Sequence, residues 1–134
     1  MKATFTAAFT AATLVALAGC ASSPSSLTSA ADRLDRAAGE LYEELRRGDS
    51  DADATREARQ LADASADFNS DVEDDRDRDD LRESFDSVAK AYHDLRDELD
   101  DERVEADERR AFADVTSAYL DLERELEHRR VSGL

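Results

Sequence analysis

The chain has 134 residues, of which 34 are acidic and 18 basic, for a net charge of −16. This length fits one domain, and the apolar share of 40% is large enough to build a core. The charge excludes a protein that binds nucleic-acid phosphates through a basic face. The single cysteine excludes a disulfide framework and a cysteine-based zinc or iron–sulfur site.

The N-terminal segment, residues 1–20, carries a positive Lys2 followed by an uncharged apolar stretch that ends in Leu17-Ala18-Gly19-Cys20. This ending resembles the lipobox of bacterial lipoproteins at all four positions. The resemblance implies removal of a signal peptide, residues 1–19, and acylation of Cys20 with diacylglycerol and palmitate. The partner of the N-terminus would then be a membrane. An ordinary secretory signal with a chance cysteine is the alternative.

The residue after the cysteine bears on localisation. Ala21 stands where lipoproteins retained in the inner membrane tend to carry Asp, so the resemblance favours the periplasmic face of the outer membrane. Residues 20–26 contain the cysteine and a small, polar linker with Pro24. The folded domain is therefore predicted to occupy residues 27–134.

Apolar residues in this domain recur at helical spacing, and the pattern repeats at an offset of 27 residues. Within each repeat the apolar positions are 3, 4, 3 and 4 residues apart, which is typical of an a/d seam on a helix. We predict helices at 27–47, 51–72, 80–99 and 103–130. Short connections between four such helices predict an all-α, antiparallel up-down-up-down four-helix bundle behind the lipidated linker.

Antiparallel stacking predicts which seam residues meet. The two end layers and the middle layer are expected to contain, respectively, Ala31, Val72, Phe85 and Leu126; Leu45, Ala58, Leu99 and Phe112; and Ala38, Ser65, Tyr92 and Tyr119. The middle layer is a candidate internal polar site, because a buried phenol needs a hydrogen-bond partner and Ser65 could supply one. It is either ordinary core or a small internal ligand site.

Acidic residues cluster at the end of the bundle away from Cys20. This candidate tip for a basic partner or a divalent cation contains Asp49, Asp51, Asp53, Asp100, Asp101 and Glu102. Residues 49–53 imitate the start of an EF-hand loop, but Ala54 and Gln60 stand where the loop needs Gly and Glu. A helix N-cap explains these acids better, and a merely solvated acidic surface is the remaining alternative.

No arrangement of catalytic residues is visible. Neither His93 nor His128 is predicted to face the core, and no nucleophile–base pair or phosphate-binding loop occurs. We therefore expect no metal, no cofactor and no enzymatic activity. The leading hypothesis is a lipid-anchored envelope protein whose acidic bundle serves as an interaction or spacer module. The alternatives are an inhibitor or immunity-type binder of a basic protein, and a weak cation or small-ligand binder.

Overall fold

The computed structural model describes residues 25–48, 50–101 and 104–132, and these form four α-helices without any strand. The helices are α1 (Ser26–Arg47), α2 (Ala52–Glu73), α3 (Arg78–Asp101) and α4 (Ala106–Ser132). The all-α four-helix bundle is thus confirmed, and the predicted helix ends agree within three residues. The signal-peptide and acylation predictions for residues 1–24 lie outside the described residues.

Helix starts follow from polar side chains that bind free backbone N–H groups. The Ser25 hydroxyl accepts a hydrogen bond from the N–H of Thr28 (3.1 Å) ahead of α1. The Asp77 carboxylate accepts from the N–H groups two and three residues on (both 3.1 Å) ahead of α3. Helix α3 thus starts two residues before the predicted Asp80, because an earlier acid of the same acidic run caps the helix.

The conformation of the turn between α2 and α3 explains why Asp77 is the residue that caps α3. Asp75 adopts a positive φ of 54°, and its N–H donates to the carbonyl of Val72 (3.3 Å). The N–H of Arg76 donates to the carbonyl of Asp71 (3.1 Å). These two bonds form a Schellman motif, which ends α2 and places the chain so that α3 begins at once.

Substituting Asp75 with glycine is expected to raise the free energy of unfolding by up to about 1 kcal/mol, because glycine adopts the left-handed conformation without steric cost. Urea denaturation measures the change. Asp75→Ala is the matched control, since it removes the same charge but keeps a Cβ at positive φ. An alanine variant as stable as the glycine variant would contradict this account of the turn.

The core follows the predicted seam, but it opens toward both ends of the bundle. The predicted end-layer residues Val72, Phe85, Phe112 and Leu126 are only partly buried against it. The largest fully buried side chains of the core include Phe68, Leu61, Leu95 and Leu122. Helix α1 packs closely against α2 and α4, and α2 against α3. Among the described residues, no Cα atom of α3 lies within 8 Å of a Cα atom of α4. Those two helices meet instead through aromatic side chains.

Candidate functional site

The two ends of the bundle differ in what they join. At one end, the start of α1 meets the end of α4, where the Ser26 hydroxyl donates to Glu125 Oε2 (2.6 Å). The start of α3 reaches the same end, and Arg78 Nη2 donates to the carbonyl of Arg129 (3.1 Å). This end contains the start of α1, so it is the end of the bundle nearest to Cys20 along the sequence. The opposite end, here called the distal end, carries the α1–α2 and α3–α4 connections.

Two of the six acids predicted at the distal end are used in local structure. Asp51 caps α2 by accepting a hydrogen bond from the N–H of Asp53 (3.0 Å), and Asp53 pairs with Arg56 (2.6 Å). Asp100 is exposed. Three further predicted tip residues have side chains outside the described part of the chain: Asp49, Asp101 and Glu102. The N-cap interpretation of Asp51 is thereby confirmed.

Divalent-cation binding gains no geometric support. Within residues 25–48, 50–101 and 104–132, no three His, Cys, Asp or Glu side chains converge as a metal site would require. His93 and His128 are both exposed, as predicted.

Glu108 is the distal residue that sequence reasoning missed. It is only 5% exposed, the Ser50 hydroxyl donates to its Oε1, and the N–H of Glu105 donates to its Oε2 (2.9 Å). A Cβ on Gly48 would lie 2.5 Å from Oε1. Gly48 has a φ of −74°, so its role is to leave room for Glu108 rather than to adopt a left-handed conformation. Spacing offered one signal, because Glu105 and Glu108 stand three residues apart at a helix start.

The middle layer is an aromatic stack between α3 and α4. The rings of Tyr92 and Tyr119 lie 4.2 Å apart and within 10° of parallel, as the predicted layer requires. Phe85 stacks on Tyr119 at 5.8 Å, and Phe112 stacks on Tyr92 at 6.0 Å. Phe68 of α2 meets Phe85 edge-on at 6.0 Å. Four of these rings bridge α3 and α4, and Phe68 joins them from α2.

Ser65 does not supply the hydrogen-bond partner that the sequence allowed for a buried tyrosine. Tyr92 donates its hydroxyl hydrogen to Thr116 Oγ1 (3.2 Å), and Thr116 in turn donates to the carbonyl of Phe112 (3.0 Å). Ser65 is 1% exposed, and its hydroxyl has no hydrogen-bond partner among the described residues. The apolar pattern correctly predicted that Ser65 is buried. It could not show that a threonine, one turn away from Phe112, is the nearer hydrogen-bond partner of Tyr92.

Substituting Ser65 with alanine is expected to raise the free energy of unfolding by about 1–2 kcal/mol, because it removes a buried hydroxyl that no group satisfies. Thermal unfolding followed by circular dichroism measures the change. Thr116→Ala should act in the opposite direction, since it removes the acceptor of the Tyr92 hydroxyl. A loss of stability in Ser65→Ala would mean that the hydroxyl binds water or a small ligand, as the internal-site hypothesis requires.

The phenol of Tyr119 stays protonated well above neutral pH. Burial raises its pKa above the ordinary value of 10.0, and Glu123 and the stacked Tyr92 raise it further. A neutral phenol packed between aromatic rings is suited to a core rather than to acid–base chemistry.

The carboxyl group of Asp35, on α1, ionises less readily in the folded protein than in the unfolded chain. Its pKa is raised above the ordinary 3.8 by burial and by Asp32, while Arg36 lowers it. A raised pKa in the folded state means that protonated Asp35 favours folding, and this contribution is lost as the pH rises through the folded pKa. Ionised Asp35 therefore opposes folding at neutral pH.

Asp35→Asn is expected to raise the melting temperature at pH 7, and the gain should shrink below pH 3.8 because Asp35 is then neutral as well. Thermal unfolding of the variant and of the parent chain at a series of pH values measures the difference between their melting temperatures. Asp67→Asn, an exposed site on α2, reports the general effect of removing one negative charge. A gain that is the same at every pH would contradict this assignment.

Comparison with known proteins identified no relative. No family model, no curated protein and no solved structure matches the chain. In the described part of the chain, no helix has both the length and the apolarity needed to cross a bilayer.

Proposed function

We propose that the chain is a non-enzymatic lipoprotein of the bacterial envelope, anchored through acyl chains on Cys20 and presenting an acidic four-helix bundle. The observation that carries this proposal is the complete Leu17-Ala18-Gly19-Cys20 ending of an apolar N-terminal segment, with the only cysteine of the chain at the acylated position. Ala21 extends the proposal to the outer membrane.

The position of the domain fits such an anchor. Ser25 caps α1 only five residues after Cys20, and five residues span at most about 18 Å. The bundle would thus stand close to the lipid surface with its distal end facing away. Each buried methylene contributes about 0.8 kcal/mol, so several acyl chains on one cysteine hold a protein on the membrane almost permanently.

The role proposed for the bundle is an interaction or spacer module. The helices are amphipathic around a filled seam, and the middle layer is occupied by aromatic rings rather than by a substrate cavity. The net charge of −16 favours binding of a basic protein as a second candidate function, because opposite charge steers association.

Membrane fractionation of a bacterial host tests the anchor. The parent chain should sediment with the outer membrane after density-gradient separation, whereas Cys20→Ser should leave that fraction because it has no thiol to acylate. Thermal unfolding of both chains controls for folding, and Ser65→Ala is a matched buried substitution that should sediment like the parent. Equal retention of Cys20→Ser in the outer-membrane fraction would contradict the proposal.

A further inference from the structure

An open groove with a volume of about 610 Å³ lies between α1 and α4. Gly39 of α1 lines it, and a Cβ built on this residue would meet no atom within 4 Å. Glycine inside a helix is less stable than alanine by about 1 kcal/mol. The described fold does not need the missing side chain for its own packing, so Gly39 leaves a stretch of the α1 backbone open to close approach from outside.

The groove also carries charges without partners. Its acidic lining includes Glu43 and Glu44, which pair with arginines of α1, and Asp107, which pairs with Arg110 (3.3 Å). Glu40 of α1 and Asp114 of α4 have no ion-pair or side-chain hydrogen-bond partner among the described residues. Three arginines line the groove as well, but each is paired with another carboxylate: Arg36 with Asp32, Arg47 with Glu44 and Arg110 with Asp107. Glu40 and Asp114 therefore face the groove from opposite helices without an ion pair in the described part of the chain.

We propose that this groove docks a basic α-helix of a partner protein, with the helix crossing α1 at Gly39 and its Lys or Arg side chains binding Glu40 and Asp114. The inference deepens the interaction role proposed above and rests on it. Arginine and lysine match these carboxylates in charge and in hydrogen bonding. Because Gly39 has no side chain, a partner helix can approach α1 closely there. The distance between two helix axes depends on the side chains at their contact.

Other occupants and other places fit less well. A second copy of this chain would bring another net charge of −16 and be repelled. At the distal end, Asp51 and Asp53 already use their carboxylates in a cap and an ion pair. The groove between α2 and α3 has no glycine in its lining, and two of its acids, Asp63 and Asp94, are paired with Arg59 and Lys90.

Binding of a defined probe tests the groove. The probe is a synthetic amphipathic helix of Ala, Leu, Lys and Arg with a fluorescent label, and its affinity for the acylated chain in lipid nanodiscs is measured by anisotropy at physiological salt. Gly39→Leu, which fills open space without loss of the fold, should weaken binding at least about tenfold. The pair Glu40→Gln with Asp114→Asn should weaken it similarly and reduce its salt dependence.

Matched variants and a second probe decide the outcome. Asp67→Asn in the other groove and Asp51→Asn at the distal end should change the affinity less than about twofold. A peptide of the same composition interrupted by proline should bind weakly. The proposal is overturned by no measurable binding, by equal weakening in groove and control variants, or by equal affinity for the proline peptide. If Cys20 carries no acyl chain, the anchor fails by itself, and the same probe and variants are then measured on the unacylated chain in solution, where the groove makes the same predictions.

Discussion

Replacing Leu95 or Leu122 with alanine is expected to lower the free energy of unfolding by about 2–5 kcal/mol. Both side chains are fully buried in the seam, Leu95 on α3 and Leu122 on α4. Alanine loses the transfer free energy of the removed methyl groups and leaves a cavity that rigid neighbouring helices cannot fill. Urea denaturation followed by far-UV circular dichroism measures the loss.

His93→Ala is the matched control, because His93 lies beside the seam residue Tyr92 but is exposed. Its ring meets the Tyr92 and Tyr119 rings only edge-on, at 5.4 and 6.2 Å, so the expected change is within about 0.5 kcal/mol. If His93→Ala were as destabilising as Leu95→Ala, the assignment of seam and surface would be wrong.

Glu108→Ala is expected to lower the free energy of unfolding by about 1–3 kcal/mol. The substitution leaves the Ser50 hydroxyl and the N–H of Glu105 without the acceptor that they share at the distal end. Glu108→Gln keeps an acceptor of nearly the same shape and should be less destabilising. Thermal unfolding compares the three chains, and an alanine variant as stable as the parent would contradict this role.

The space left by Gly48 makes the same contact testable from its other side. In Gly48→Ala the new Cβ would displace the Glu108 carboxylate, so this variant should also be less stable than the parent. Since both substitutions act on one contact, the double variant should lose less stability than the two single losses added together. Strict additivity would mean that Gly48 and Glu108 act independently.

Much of the fold was predictable because one physical rule dominates it. Apolar side chains spaced 3 and 4 residues apart bury one face of each helix. This rule located the buried Ala38 and Leu45 and the contact of Tyr92 with Tyr119. The rule says nothing about hydrogen-bond partners beside the seam. Thr116 was therefore missed as the partner of Tyr92, and Ser65 was named as the residue that could serve as one.

Helix ends and charged sites were less predictable because one residue type serves several purposes. An aspartate can cap a helix, pair with an arginine or remain free for a partner, and the sequence pattern is alike in all three cases. Asp77 and Asp51 are caps, whereas Asp114 is left without an ion pair among the described residues. Only the relative positions of helices separate these uses. The contact between Ser50 of the α1–α2 loop and Glu108 in the first turn of α4 is another example.

Intact-mass spectrometry of the chain extracted from bacterial membranes tests the lipid anchor most directly. We expect a mature chain that begins at Cys20 and carries the mass of a diacylglycerol group and a further acyl chain, with fragment ions that locate both on Cys20. A chain that still begins at Met1, or one that begins at Cys20 or elsewhere without any acyl chain, would contradict the anchor.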